Sequence, residues 1–317
     1  VDIKDNINEI RADLNDIEWS ETSFSWQKAH VASIFSKMAY MHIPGFELEN
    51  NSRVNIIPCL GYQELIHNTE TIDLGEILSS IDIGQFFMVE RSSVVVVAIK
   101  VHKVIFISFR GTQNLYDWFT NLNISKSSPY PNKNNTAYFH KGFHRAVASC
   151  IEEVNSNIIK KFGSENTIYV TGHSLGGAMA AIFHALVNKK IGDCLFFDIK
   201  STSILLGMDV HNNFLSSNAC YTFGMPRFGN FAAMQHFNNP FHIYNKDDIV
   251  PCVPPKFLGY HDCLMEYCLT DNSQIDHSNV KGSSFMSYMS KLMTRKGIKD
   301  HNVEEYTNRI NTMKKKS

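Results

Sequence analysis

No stretch of the 317-residue chain approaches the roughly 18 to 20 consecutive apolar residues of a membrane-spanning helix. The longest run, Ser93 to Ile99, has the length and β-branching of a strand. A surplus of charge is missing as well. Thirty Lys and Arg stand against 31 Asp and Glu, so no net field draws the chain to nucleic acid or to an anionic membrane, and any lipid contact has to be mainly apolar. Closely spaced cysteine pairs of the kind that hold metals are absent. The seven cysteines (Cys59, Cys150, Cys194, Cys220, Cys252, Cys263 and Cys268) are scattered, and their odd number argues against a disulfide scaffold. Repeats, low-complexity blocks and linkers are lacking too. The first residues, Val1-Asp2-Ile3-Lys4-Asp5, are charged, lack the apolar core of a secretory leader and follow no initiating Met, which leaves secretion open.

What is present is a 44% hydrophobic, 12% aromatic chain, enough for one large core. We therefore expect a single domain over 1–317, with a helical N-terminal part, 1–90, packed on a core, 91–310. Ile3, Ile7, Ile10, Leu14 and Ile17 recur at helical spacing, as do Ala29, Ile34, Phe35, Met38 and Ala39 after a cap at Ser23. From Val94 the pattern turns to strands, Val94 to Ile99 and Val104 to Phe109, with a turn at His102-Lys103. Ser125 to Asn135 reads as an exposed polar loop. Phe143, Val147, Ile151, Val154 and Ile158 mark an amphipathic helix ending at Gly163, followed by a strand at Thr167 to Thr171. Two more strands, Ala219 to Phe223 and Phe241 to Tyr244, bracket a helical stretch at Phe231 to Phe237. The alternation is that of an α/β domain.

Gly172-His173-Ser174-Leu175-Gly176 follows the strand and precedes Gly177-Ala178-Met179-Ala180-Ala181-Ile182, a run of small residues that opens a helix. A serine between strand and helix projects its hydroxyl above the sheet only on a sharp turn, and glycines on either side let the two backbones approach. The helix start aims N–H groups and the positive end of its dipole at a developing oxyanion, with Leu175 as the expected donor. A serine hydroxyl becomes a nucleophile when a histidine takes its proton and a carboxylate holds that histidine. In this architecture the acid follows the serine, just past a strand end, and the histidine comes last. Asp248 fits, after Phe241-His242-Ile243-Tyr244 and before Ile249-Val250-Pro251, with Asp247 as competitor. His261, His277 and His301 are the candidate bases, and local pattern does not choose among them.

The ordered series Phe109-Arg110-Gly111-Thr112 with Asp117-Trp118, His140-Lys141-Gly142-Phe143, Gly172-His173-Ser174-Leu175-Gly176-Gly177, Thr222-Phe223-Gly224-Met225-Pro226-Arg227 with Gly229-Asn230, Asp248-Ile249-Val250-Pro251, and Asp300-His301 with Tyr306 resembles the class 3 lipase family, the fungal-lipase-like branch of α/β-hydrolases. The resemblance runs from about Ser93 to Tyr306 and is loose before that. It implies an α/β-hydrolase fold, a mostly parallel central sheet with helices on both faces. It implies Asp248 as the triad acid, His301 as the base, Thr112 beside Leu175 in the oxyanion hole, and a structural role for His261. The activity it implies is hydrolysis of carboxylic esters of the acylglycerol type through an acyl-enzyme, with a lipid or ester substrate met at a lipid–water interface and no metal or organic cofactor.

Phospholipase A1 and short-chain esterase remain alternatives within the same chemistry, an acyltransferase is a third, and a catalytically silent scaffold for protein partners is the alternative of another class. The complete set Ser174, Asp248, His301 weighs against the scaffold. Secretion or a peripheral membrane location is what the family favours, although the scattered cysteines match none of the disulfides of secreted fungal members. Leu115, Tyr116, Trp118 and Phe119 fall where the family carries a mobile lid, with ordinary packing as the competing role. The helical stripe Phe285, Met286, Tyr288, Met289, Leu292 and Met293 is read either as a core-facing helix or as an acyl groove.

Overall fold

Val94-Val95-Val96-Val97-Ala98-Ile99 sends apolar side chains to both sides of an extended backbone, the pattern of a strand covered on both faces. The computed structural model of the chain describes residues 3–40, 85–91, 94–111, 124–129, 136–188, 215–270, 275 and 300–317, and it places this run in β2 (Val94–Val101) of a seven-stranded sheet. β1 (Gln85–Arg91) and β3 (Val104–Phe109) flank it antiparallel. Beyond β3 come β6 (Thr167–His173), β7 (Ala219–Phe223), β8 (Phe241–Asn245) and β9 (Glu266–Leu269), each parallel to its neighbour. Gly172 sits opposite Phe109 on one side and Thr222 on the other, so the carboxyl ends of β3, β6 and β7 finish level at one edge. β4 (Lys126–Ser127) and β5 (Phe139–His140) form a separate short ladder.

Alternation along the strands divides the core in two. Val94, Val96 and Ala98 with Ile105, Ile107, Ile168 and Val170 meet the apolar sides of α3 (Lys141–Phe162) and α4 (Leu175–Val187). Val95, Val97 and Ile99 with Phe106, Tyr169 and Tyr221 meet α1 (Ile3–Asp16), α2 (Trp26–Met38) and α6 (Val303–Lys316). α4 is buried along its whole length, as its Ala-rich, charge-free sequence requires between a sheet and α3. α5 (Phe231–His236) is a single short helix after β7. This is the α/β-hydrolase architecture, a mostly parallel sheet with helices on both faces.

The sequence reading needs three corrections. Residues 1–90 are not wholly helical, because Gln85–Arg91 is a sheet strand whose Phe87 and Val89 enter the core by period-two alternation. The cap of α2 is Ser25, whose side chain accepts the N–H of Lys28, while the Ser23 carbonyl is taken by Tyr221. Lys126 and Ser127 lie in a ladder rather than a loop, and Ser127 is buried on His144 at 2.8 Å. Cys150, Cys220 and Cys252 are free and, like Cys263 and Cys268, buried. The Leu115 to Phe119 and Phe285 to Met293 segments, Thr112 and His277 lie outside the described residues, and among those described no helix is long and apolar enough to cross a membrane.

Candidate active site

Ser174 stands between β6 and α4 at φ 58° and ψ −133°, a conformation that a residue with a Cβ adopts only under constraint. Its main-chain N–H donates to Phe223 of β7 at 2.9 Å, and its carbonyl accepts from Gly177 at 2.9 Å, so sheet and helix both pin the turn. The turn closes because Gly172 and Gly176 lack side chains. A Cβ on Gly172 would lie 2.8 Å from the main-chain nitrogen of Gly177, and one on Gly176 would lie 2.7 Å from that of Gly111. Leu175 is the first helical residue, where N–H groups have no acceptor within the helix and the dipole is positive.

Asp248 lies three residues beyond β8 and is almost wholly buried. Its Oδ1 accepts the N–H of Val250 at 2.9 Å. Its Oδ2 accepts Nδ1–H of His301 at 2.7 Å and the hydroxyl of Tyr306 at 2.6 Å. Tyr306 in turn accepts the N–H of Asn245 at 3.0 Å, and Asn245 donates its side-chain amide to the carbonyl of Asp300 at 2.7 Å. The end of β8 and the start of α6 are thus stitched together around one carboxylate. Asp300 is also reached by Arg309 at 3.3 Å, one helical face further along α6. Asp247, the competing acid, is the more exposed of the two neighbours.

His301 sits in the turn before α6, which is capped by Asn302 accepting the N–H of Glu304 at 2.8 Å. Its Nδ1 is spent on Asp248, which leaves Nε2 with a lone pair. Neither that Nε2 nor Ser174 Oγ has a hydrogen-bond partner among the described residues, and both atoms are buried. His173, the residue before the serine, has its ring 4.6 Å from that of His301 and donates Nε2–H to the His301 carbonyl at 2.7 Å. Burial first, then the neighbouring His301, push the His173 pKa well below the usual histidine value, so its ring is neutral. The sequence reading named Ser174, Leu175, Asp248, His301 and Tyr306; it did not anticipate Arg309, nor Asn245 and the contacts of His173, whose partners lie far away in the chain.

The remaining candidates fall elsewhere. His261 is partly exposed, with its Nδ1 on the Asp262 carbonyl at 2.9 Å and its ring beside Phe231. Among the described residues, His242, Cys263 and Glu266 bring possible metal-ligand atoms within 4.8 Å of one another. His242 donates Nδ1–H to Glu266 at 3.0 Å and accepts the N–H of Met225 at Nε2, 3.2 Å away, so this tautomer leaves no ring lone pair for an ion.

The family model described as lipase (class 3) matches residues 106–258. A secreted mono- and diacylglycerol lipase 1 of Fusarium solani is 31% identical over 184 residues, 55% of this chain and 46% of that protein. A lipase of Rhizomucor miehei is 30% identical over 181 residues, 54% of this chain and 43% of that one. The chain therefore spans about half the length of these curated relatives. A solved structure of a triacylglycerol lipase, whose catalytic centre is a serine protease triad, superposes with a TM-score of 0.55 at 22% identity, covering 84% of this chain and 94% of that one. At that identity the likeness speaks for the fold.

Proposed function

We propose that the chain is a member of the class 3 lipase family, whose model matches residues 106–258, and that it hydrolyses carboxylic esters of lipids, acylglycerols first among them, with Ser174 as nucleophile, His301 as general base and Asp248 as the acid that orients it. The observation that carries this reading is the buried Asp248–His301 bond of 2.7 Å, which leaves Nε2 of His301 unpaired in a site that also holds the unpaired hydroxyl of a strained Ser174.

In the first step His301 takes the Ser174 proton on Nε2 as Oγ attacks the ester carbonyl, and Asp248 stabilises the imidazolium through Nδ1–H. The N–H of Leu175 and the Thr112 corner are the proposed oxyanion donors. Collapse of the tetrahedral intermediate passes the proton to the leaving alcohol, and water repeats the cycle on the acyl-enzyme. Tyr306 shares the charge of Asp248 with His301 and keeps the carboxylate from turning away.

The same reading takes residues 1–317 as one domain with the N-terminal helices packed on it; the burial of α2 against the sheet supports this. Similarity to the secreted mono- and diacylglycerol lipase 1 of Fusarium solani supports secretion for this chain. The test is hydrolysis of p-nitrophenyl esters from acetate to palmitate, and of mono-, di- and triacylglycerol emulsions, by the protein and by S174A, D248A and H301A. We expect turnover that falls by about 10⁴-fold or more in each variant, while H261A stays active. Preference for long acyl chains supports the lipase and preference for acetate the short-chain esterase. A protein that turns over none of them, with emulsions present, refutes the reading.

A further inference from the structure

Tyr40 follows α2, a region the sequence reading assigned only to packing, yet its hydroxyl reaches His173, one residue before the nucleophile. The hydroxyl is 3.1 Å from Nδ1 of His173 and 3.3 Å from the His173 carbonyl. On the other side of the ring, Nε2 faces the carbonyl oxygen of His301 at 2.7 Å. A carbonyl only accepts, so Nε2 carries the proton; Nδ1 then holds the lone pair and Tyr40 donates to it. The chain of bonds runs in one direction, from the Tyr40 hydroxyl through the His173 ring to the main chain of His301.

Building on the ester-hydrolase reading, we infer that Tyr40 and His173 are positioning residues that hold the main chain of His301, and with it the imidazole, at the height the Ser174 proton transfer needs. The Asp248 contact fixes the far edge of the His301 ring but not the backbone from which the ring hangs. That backbone belongs to a turn ahead of α6, after residues outside the described part of the chain, and the His173 bond ties it to the residue adjoining the nucleophile. Base and nucleophile are therefore referenced to the same two residues of β6 and its turn. Tyr40 contributes twice, because it also lies against Gly111. A Cβ at that position would run into the Tyr40 hydroxyl and come within 2.7 Å of the His173 carbonyl. The corner that leads to Thr112 thus packs on the same pair.

The experiment compares H173L, H173Q and Y40F with the wild-type chain. Leucine fills similar space without a donor, whereas the amide nitrogen of glutamine reaches the place of the imidazole Nε2. We expect kcat of H173L to fall on the order of 10²-fold, the size of effect that a small misplacement of a reacting group produces, with KM within about twofold. H173Q recovers most of that loss, and Y40F loses several-fold. A wild-type kcat in H173L, or an H173Q no better than H173L at equal folded fraction, overturns the inference, and an unchanged Y40F removes Tyr40 from it. A second readout needs no turnover: the low-field proton shared by His301 Nδ1 and Asp248, observed by NMR, persists in wild type and H173Q and is lost by exchange in H173L. Should the wild type hydrolyse no ester, the proposed function fails while this resonance still tests the relay, and its persistence in H173L sinks the relay alone.

Discussion

At the scale of single residues, the site is a buried carboxylate shared by an imidazole, a phenol and a main-chain N–H. A carboxylate buried this deeply is tolerated because each oxygen is met by donors. Tyr306→Phe removes one of them from Asp248 Oδ2 and takes the acceptor from the Asn245 N–H. Losing a bond to a charged group costs on the order of 1–3 kcal/mol. We expect urea denaturation of Y306F to show a loss in that range, and kcat to drop about tenfold with unchanged acyl-chain preference. An unaltered midpoint in urea would mean that the hydroxyl is dispensable to Asp248. His261→Ala, by contrast, touches none of these groups and is expected to leave kcat within about twofold.

At the scale of elements, β6, the turn and α4 work as one unit because the strand's last residues and the helix's first turn share the same space. Gly176→Ala brings a methyl group against main-chain atoms of β3's exit, Phe109 to Gly111, and main chain there does not move aside as a side-chain tip would. The expected loss is about 3 kcal/mol or more, at or above the upper end for overpacking, and activity goes with it; thermal unfolding and ester turnover measure the two. The cap of α2 is a milder case. Ser25→Ala gives up the bond to Lys28 N–H and should cost about 1 kcal/mol in chemical denaturation. Because α2 carries Tyr40 just beyond its end and its Lys37 pairs with Glu304 of α6, the loss is expected to appear as earlier unfolding of the whole domain rather than as local fraying.

At the scale of the whole molecule, burial of histidines sets the acid limit. His144 and His184 are held neutral by desolvation, each with its pKa lowered to about 4. In the unfolded chain both titrate near the ordinary value of 6.5, so between pH 6.5 and 4 the unfolded state binds more protons and stability falls as the pH falls. Above pH 6.5 the contribution of each is fully present, and by pH 5 each has forfeited about 2 kcal/mol. His173 shifts in the same direction. Chemical denaturation at pH 7 and pH 5 checks this, with H184Q expected to flatten the difference; equal stability at the two values would contradict it. His184 bonds Ser217 and Asn188 on the far end of α4, so its replacement tests stability apart from catalysis.

Local sequence determined a good deal. The strand, the glycines and the small-residue helix around Ser174 are neighbours in the chain, so the turn and its place at the strand end follow from sterics within a dozen residues. The α/β class, the two-faced burial of Val94 to Ile99 and the helix from Lys141 to Phe162 were legible for the same reason, because hydrophobic period is a local signal. β1 was missed since Phe86-Phe87-Met88-Val89 is too short a run to tell strand from helix by period. The partners of the site are another matter. Asp248 meets His301 across 53 positions, His173 meets the His301 carbonyl across 128, and Tyr40 meets His173 across 133. Without the family resemblance, residue pattern alone left Asp247 and two other histidines in contention. Only the order of strands in the sheet and the docking of α2 and α6 on one face decide which carboxylate, imidazole and phenol converge, because hydrogen bonds of under 3.5 Å depend on distances in space that the chain's own periodicity does not encode.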